Sequence, residues 1–463
     1  MTREKDAKEI IERQRKHFLS GATREVGKRI ESLRKFELLI GENEDRIYEA
    51  IKRDLGRSAS ESYMGEILTC KGELSFAIKN LPKWARGARA ATPPVHLPAT
   101  SRVEPEPYGT VLVMSPWNYP VQLALIPAIS AIAAGNTVVI KPSEHSPHSS
   151  AALSELIGKY FDPELVCVVE GSLETSKRLL EERFDRIFYT GGPKGGRAVL
   201  RAAAEHLTPV TLELGGKSPC IVRDVRNLKS AAKRIAWGKF FNAGQTCVAP
   251  DYLLVQESLK DALVEEMAGR IRAMYGDNPK ESRDFARIIN EAHFDRIAGL
   301  LKGEKIAVGG ETDRGELYIA PTILDISTWE SPAMQEEIFG PVLPVIAFDS
   351  PEEIIPEIRK RGRPLALYVF TDDRRFKEKI LSSISSGGAC VNDVLVHICV
   401  TSLPFGGVGE SGFGSYHGKA GFDAFSHYRS IMERGLGLDT DLKFPPYGDF
   451  SESTKKFFEL MNK

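Results

Sequence analysis

The sequence predicts an α/β fold built on parallel sheet, and three observations carry that reading. Between residues 109 and 207, strand-like apolar runs alternate with helical segments. The runs are apolar throughout rather than at every second position, as strands buried on both faces require. The alternation resumes after residue 214, so a second α/β unit follows the first.

Residues 4–80 come first and read as amphipathic helices, with Ile10, Ile11, Phe18, Ile30 and Leu33 spaced among many charges. The segment 86–106 is rich in Pro, Ala and Arg and has no helical pattern, so it reads as a connector or as extended chain leaving the main body. GTVLVM (109–114), NTVVIK, ELVCVVEG and RIFYTGG then read as strands, each followed by a helix. The stretch 121–140 is apolar enough to suggest a membrane span, but Pro127 and the Gly135-Asn136 pair divide it into a helix and a strand. Beyond residue 214, SPCIV, YLLVQ, ALYVFT and GACVND read as strands, with helices around 228–242, 258–275 and 374–386. Together this is the architecture of a nucleotide-binding domain followed by a further α/β domain.

Composition narrows the function. The 463 residues leave room for two or three domains. Lys and Arg total 62 against 63 Asp and Glu, a net charge of −1, which argues against nucleic acid or an anionic membrane surface as partner. The charged N-terminus lacks a signal-peptide core, and the C-terminus carries no lipidation motif or hydrophobic tail, so no membrane anchor is expected. The six cysteines form no CxxC and no metal-like spacing with histidine. Free thiols in a reducing cytoplasm, and no metal, are the expectation. Cys167, Cys220, Cys390 and Cys399 sit in apolar runs and read as packing residues.

Cys247 is different. In FFNAGQTCVAP (240–250) it lies among Ala243, Gly244, Gln245 and Thr246, which promise room for a substrate. A nucleophilic thiol also needs a donor for the oxyanion it creates and a base. Asn118 in PWNYP follows the strand 109–114 and can offer its amide. Glu213 ends an apolar strand before a Gly-Gly turn, where a desolvated carboxylate suits a general base. The plainer reading of Glu213 is a salt bridge to Lys217. Histidine offers no obvious base: His397 reads as a satisfied core residue, and His417 and His427 as loop residues bonded locally.

For a cofactor, the glycine-rich turn of RIFYTGGPKGGRAVL (186–200) precedes a helix whose N-terminus would receive a pyrophosphate. Lys141 and Glu144 in KPSE follow a strand, where ribose hydroxyls can be met. A solvated loop charge pair is an equal alternative.

PWNYP, KPSE, FYTGG, LELGGKSP, FNAGQTCVAPDY, EEIFGP and SLPFGGVGESGFGSYHGKAGFDAFSHYRS occur in this order. The set resembles the aldehyde dehydrogenase superfamily, from about residue 20 to 450, and is most similar to its class 3 and fatty-aldehyde branch. The resemblance implies a Rossmann-like nucleotide-binding domain (1–85 and 107–213) and an α/β catalytic domain (214–425). It also implies a small β oligomerisation arm with a C-terminal tail (86–106 and 426–463). It implies Cys247 as nucleophile, Glu213 as base and Asn118 as oxyanion donor. For the cofactor, NAD with NADP possible, it implies Lys141 and Glu144 at the adenosine ribose, and Gly191, Gly192 and Gly196 at the pyrophosphate turn. It implies Glu337 at the nicotinamide ribose, Phe339 packing near the nicotinamide, and Trp117 and Gly215 as further cofactor contacts. Gly192 stands where the family often has Ser or Asn, which leaves backbone N–H groups to hold the phosphates. The expected reaction oxidises an aromatic or medium-to-long aliphatic aldehyde to its acid in a homodimer. The rivals are a cysteine acyl hydrolase or transferase without nicotinamide, and a non-catalytic binding protein.

Overall fold

The computed structural model describes residues 4–326, 328–437, 444–447 and 451–461. Its first sheet centres on Thr110–Met114. Thr137–Lys141 and Val166–Val168 extend it on one side, Arg186–Thr190 and Val210–Glu213 on the other, all parallel. In chain order the strands lie third, second, first, fourth, fifth. The winding therefore reverses between Thr110–Met114 and Arg186–Thr190, and a crevice opens at their carboxyl ends. PWNYP leaves the sheet on one lip of that crevice and the Gly191-Gly192 turn on the other.

The expectation of a wholly parallel sheet needs a correction. A sixth strand, Gly412–Phe413, pairs antiparallel with Val210–Glu213, setting Gly412 opposite Glu213. Two residues far along the chain give no strand pattern of their own, so only the ladder shows them.

Every residue of the helix Gln122–Ala134 is buried. It lies between the sheet and the helices Val26–Glu42 and Leu68–Trp84, which is why it has no polar face. Gly135 ends it in the left-handed conformation at φ 97°, whereas Pro127 sits inside it and breaks nothing. Among the described residues no helix is long and apolar enough to cross a membrane.

The second sheet has seven strands, in the order Ile306–Val308, Thr322–Asp325, Val342–Phe348, Tyr252–Gln256, Pro219–Val222, Ala366–Phe370 and Gly388–Val391. All are parallel except the edge strand Ile306–Val308. The sequence reading left 276–365 unassigned. There Pro344 interrupts a strand and Pro356 a helix, Pro351–Lys360, masking both patterns.

The Pro-rich segment is extended chain. Thr100–Pro107 runs antiparallel to Ser426–Glu433 along its whole length, and Ala88–Ala90 adds a third strand. His427 thus lies in a ladder, exposed, rather than in a loop. Of the expected C-terminal tail, the helix Glu452–Met461 is seen, while 438–443, 448–450 and 462–463 lie outside the described residues.

Candidate active site

The helix Leu228–Phe240 delivers the chain into the turn Phe241–Gly244, where Asn242 and Ala243 take φ values of 53° and 50°. Two consecutive non-glycine residues in the left-handed region are strained and need support from their surroundings. The support is dense. Gln245 is fully buried, donates to the carbonyls of Asn242 (3.1 Å) and Arg287 (2.9 Å), and accepts from the Ile289 N–H (3.0 Å). Its own carbonyl receives the side-chain amides of Asn118 and Asn242, each at 3.1 Å.

The small neighbours of Cys247 therefore do not provide the open space they promised. Ala243, Gly244, Gln245 and Thr246 are all buried, and Cys247 alone in that stretch is partly exposed. Gly244 is small because a Cβ there would stand 2.2 Å from the Gly340 carbonyl oxygen. The room belongs to the thiol and not to its flanks.

Three groups named from the sequence act on one another here. The Cys247 thiol is pushed up, first by burial and then by the negative fields of Glu337 and Glu213. Glu213 is buried, neither carboxylate oxygen has a hydrogen-bond partner, and its pKa is raised well above the usual range by burial. The Gly407 N–H opposes that shift from the carboxylate's side but falls outside hydrogen-bond geometry. The salt bridge to Lys217 is absent. Lys217 pairs instead with Asp251 at 2.5 Å and donates to the carbonyls of Ala333 and Glu336. Asn118 is buried beside the Cys247 loop, with one amide N–H on the Gln245 carbonyl.

The cofactor candidates gather round the crevice. Lys141 ends its strand, buried, with Nζ on the Pro142 carbonyl (2.6 Å) and 3.6 Å from the exposed Glu144. The helix Pro193–Glu205 begins after Gly192 with no side chain capping it, so its first N–H groups are available to a phosphate. A Cβ on Gly191 would strike the Tyr189 hydroxyl at 2.4 Å, whereas one on Gly192 would meet nothing within 4 Å. Gly196 faces Leu212 and Leu214 across the sheet, so its missing side chain serves helix packing. Trp117 and Phe339 meet edge to face at 5.3 Å, Phe339 at φ 49°. Glu337 is partly buried, and its carboxyl is pushed up to about 8 by burial and by Asp251. A Cβ on Gly215 would lie 2.0 Å from a Glu337 oxygen. These residues suit a dinucleotide: free N–H groups for phosphates, a Lys–Glu pair for one ribose, and a carboxylate beside an aromatic pair for the other.

Several contributors escaped the sequence reading. Tyr416 is buried and its hydroxyl is pushed up by burial, then by Glu213 and Cys247; its SYHGK motif was the available signal. Lys239 is wholly buried with no partner for Nζ, and burial lowers it to about 8. Arg57, Glu61 and Glu66 lie in a segment read only as helix. Other readings are corrected. Both ring nitrogens of His397 are unpartnered, so it is not a satisfied core residue. His417 bonds Glu73 at 3.2 Å, far away in sequence. Cys399 is exposed in a short helical turn and Cys390 is partly exposed in a strand, so neither is a core packing residue. Among the described residues no group of His, Cys, Asp and Glu could hold a metal.

A partly exposed cysteine beside an unpaired carboxylate, near a dinucleotide crevice, is what a nicotinamide-dependent dehydrogenase with a covalent step requires. Comparison with known proteins agrees. Residues 1–431 match the Aldehyde dehydrogenase family. The mouse aldehyde dehydrogenase family 3 member B2 is 45% identical over 95% of this chain and 92% of its own length. The rat dimeric NADP-preferring aldehyde dehydrogenase is 47% identical over 92% of this chain and 94% of its own. Among solved structures, Staphylococcus aureus AldH in its substrate-bound state superposes with a TM-score of 0.95 at 42% identity, over 98% of this chain and 99% of that one. An indole-3-acetaldehyde dehydrogenase complexed with NAD+ gives 0.84 at 28% identity, over 93% and 89%. The chain belongs to the aldehyde dehydrogenase family, and it is an NAD(P)-dependent aldehyde dehydrogenase.

Proposed function

We propose that this enzyme oxidises aromatic and medium-to-long aliphatic aldehydes through Cys247, with Glu213 as base and Asn118 as oxyanion donor. One observation carries the assignment: Glu213 is a buried carboxylate with two bare oxygens, close enough to Cys247 to shift its thiol. A structural carboxylate would be paired, as Asp251 is.

Because burial and two carboxylates hold the thiol proton on, Cys247 is neutral until a base takes it. Solvent water takes that proton, and the bare Glu213 oxygens stay free for the later hydrolytic water. The sulfur then bonds to the aldehyde carbon, and the oxyanion rests on the free N–H of the Asn118 amide and on the Cys247 backbone N–H. The bound nicotinamide supplies the hydride acceptor, and Lys141, Glu144, the 191–192 turn, Trp117, Phe339 and Glu337 would hold the dinucleotide. Glu213 next draws a proton from water, whose oxygen attacks the thioester carbonyl and displaces the Cys247 sulfur. The acid leaves and the thiol is restored.

The motif resemblance to the class 3 and fatty-aldehyde branch suggests this substrate range, with NAD favoured and NADP open; one relative is named NADP-preferring. The nucleotide-binding part would take residues 1–85 and 107–213, and the catalytic part 214–425. The ladder joining 100–107 to 426–433 suits an oligomerisation arm, and one of the relatives is named dimeric. A homodimer fits these features, and cysteines that are all free suit a reducing cytoplasm. Absorbance at 340 nm with NAD, then NADP, against aliphatic and aromatic aldehydes tests the reading, with Cys247→Ser in parallel. Cys247-dependent signal with at least one aldehyde is expected; equal turnover by the variant overturns the assignment.

A further inference from the structure

Residues 57–67 set one cation and two carboxylates behind Asn118. Arg57 and Glu66 are wholly buried and Glu61 nearly so. The short helix Ala59–Ser62 opens into a π-helical turn, Tyr63–Ile67. Residues five apart diverge by about 140° around an α-helix. The wider π turn narrows that angle, and Glu61 and Glu66 both face inward.

Arg57 pairs through Nη2 with Glu66, donates through Nη1 to the Asn118 carbonyl at 3.3 Å, and lies 4.9 Å over the Tyr119 ring. The other Glu66 oxygen accepts the N–H groups of Val121 and Gln122, both at 2.8 Å. Glu61 accepts the N–H of Asn242, the first strained residue of the nucleophile turn. Asn242 in turn donates its side-chain amide to the Asn118 carbonyl at 2.9 Å. One buried cluster thus fixes both chain segments that meet at the thiol: PWNYP from one side and the 242–247 loop from the other.

We propose that Arg57, braced by Glu66, is a positioning residue for Asn118, fixing that backbone so that the side-chain amide stays against the Cys247 loop. This rests on Asn118 being the oxyanion donor, and a double-mutant cycle separates the two claims. The readouts are the rate of the first-turnover NADH burst, KM for aldehyde, and the NAD dissociation constant.

Asn118→Ala should slow the burst by ~10²–10³. Arg57→Lys keeps the buried charge but cannot span Glu66 and the Asn118 carbonyl together. It should slow the burst about tenfold with KM and NAD affinity little changed. In the Asn118→Ala background the same change should cost less than about twofold, because the group that Arg57 positions is gone. Equal slowing in both backgrounds, or none in either, overturns the proposal alone. An unchanged burst in Asn118→Ala overturns the oxyanion reading and the proposal with it. Should Arg57→Lys not fold, Glu66→Gln goes through the same cycle: it keeps acceptors for Val121 and Gln122 and loosens only the hold on Arg57.

Discussion

The two walls of the active site differ in how much chain their buried polar groups tie down. Behind Asn118 the buried polar side chains hold the chain: Arg57, Glu66, Asn242 and Gln245 make the bonds that fix two loops, with Arg57 Nε, Glu61 Oε2 and Asn242 Oδ1 left unpartnered. Across the thiol, Glu213 is buried with no hydrogen bond to either carboxylate oxygen. A buried polar group without a partner costs about 1–3 kcal/mol. The difference separates groups that hold the site from the one proposed to do the chemistry: each positioning group makes at least one bond that ties down chain, whereas Glu213 makes none and is left open to substrate and water.

The sharpest break in this comparison is Cys247→Ser. Turnover should fall by several orders of magnitude while NAD binding, followed by fluorescence titration, is kept; loss of binding as well would make Cys247 a structural residue.

Glu213→Gln comes next. The amide cannot accept a proton, so steady turnover should fall about 10²–10⁴-fold through slow thioester hydrolysis. An NADH burst without sustained turnover would show it, and an unchanged steady rate would remove Glu213 from the base role.

The parent enzyme's pH profile sharpens the same point. Glu213 must be ionised to act, and burial raises its pKa, so steady turnover should climb with pH to a plateau. Glu213→Gln should lose that limb. Stability carries the opposite sign. The folded carboxyl binds its proton more tightly than the unfolded chain, whose value is near 4.5, so this group costs stability as pH rises above that value through the folded one. Glu213→Gln should therefore unfold at a higher temperature than the parent at alkaline pH, and at the same temperature near pH 4. A difference independent of pH would mean that folding leaves the Glu213 pKa unshifted, and one that favours the parent as pH rises would mean that Glu213 is paired.

The smallest effect is expected at the cofactor lip. In Gly215→Ala the atoms nearest the new methyl are the flexible end of Glu337, so the fold should survive with Glu337 displaced. NAD should bind about tenfold more weakly, a loss of roughly 1.4 kcal/mol, with little change in burst rate once the enzyme is saturated. Unchanged NAD affinity would take Glu337 out of the cofactor site.

Much of the fold could be read from local pattern. Unbroken apolar runs between helical segments foretold both parallel sheets, and the strands around Thr110–Met114 and Pro219–Val222 lie where those runs stand. Pattern failed where an element was too short or interrupted: Gly412–Phe413 has two residues, and Val342–Phe348 contains Pro344. For the site, sequence named Cys247, Glu213, Asn118 and Glu337 as candidates, and the structure brings them to one place. It missed Arg57 because a lone arginine in a charged helical segment looks like any solvated one.

By itself, then, the sequence determined the α/β class, the family, and which side chains could do chemistry, because periodicity and motif are properties of neighbouring residues. Only the tertiary structure decided which charges are paired and which are bare. Lys217 was the obvious partner for Glu213 and instead took Asp251, 34 residues away, while Glu73 found His417 across 344. Whether a buried carboxylate is a base or half of an ion pair depends on what distant chain brings beside it. Folding alone determines that.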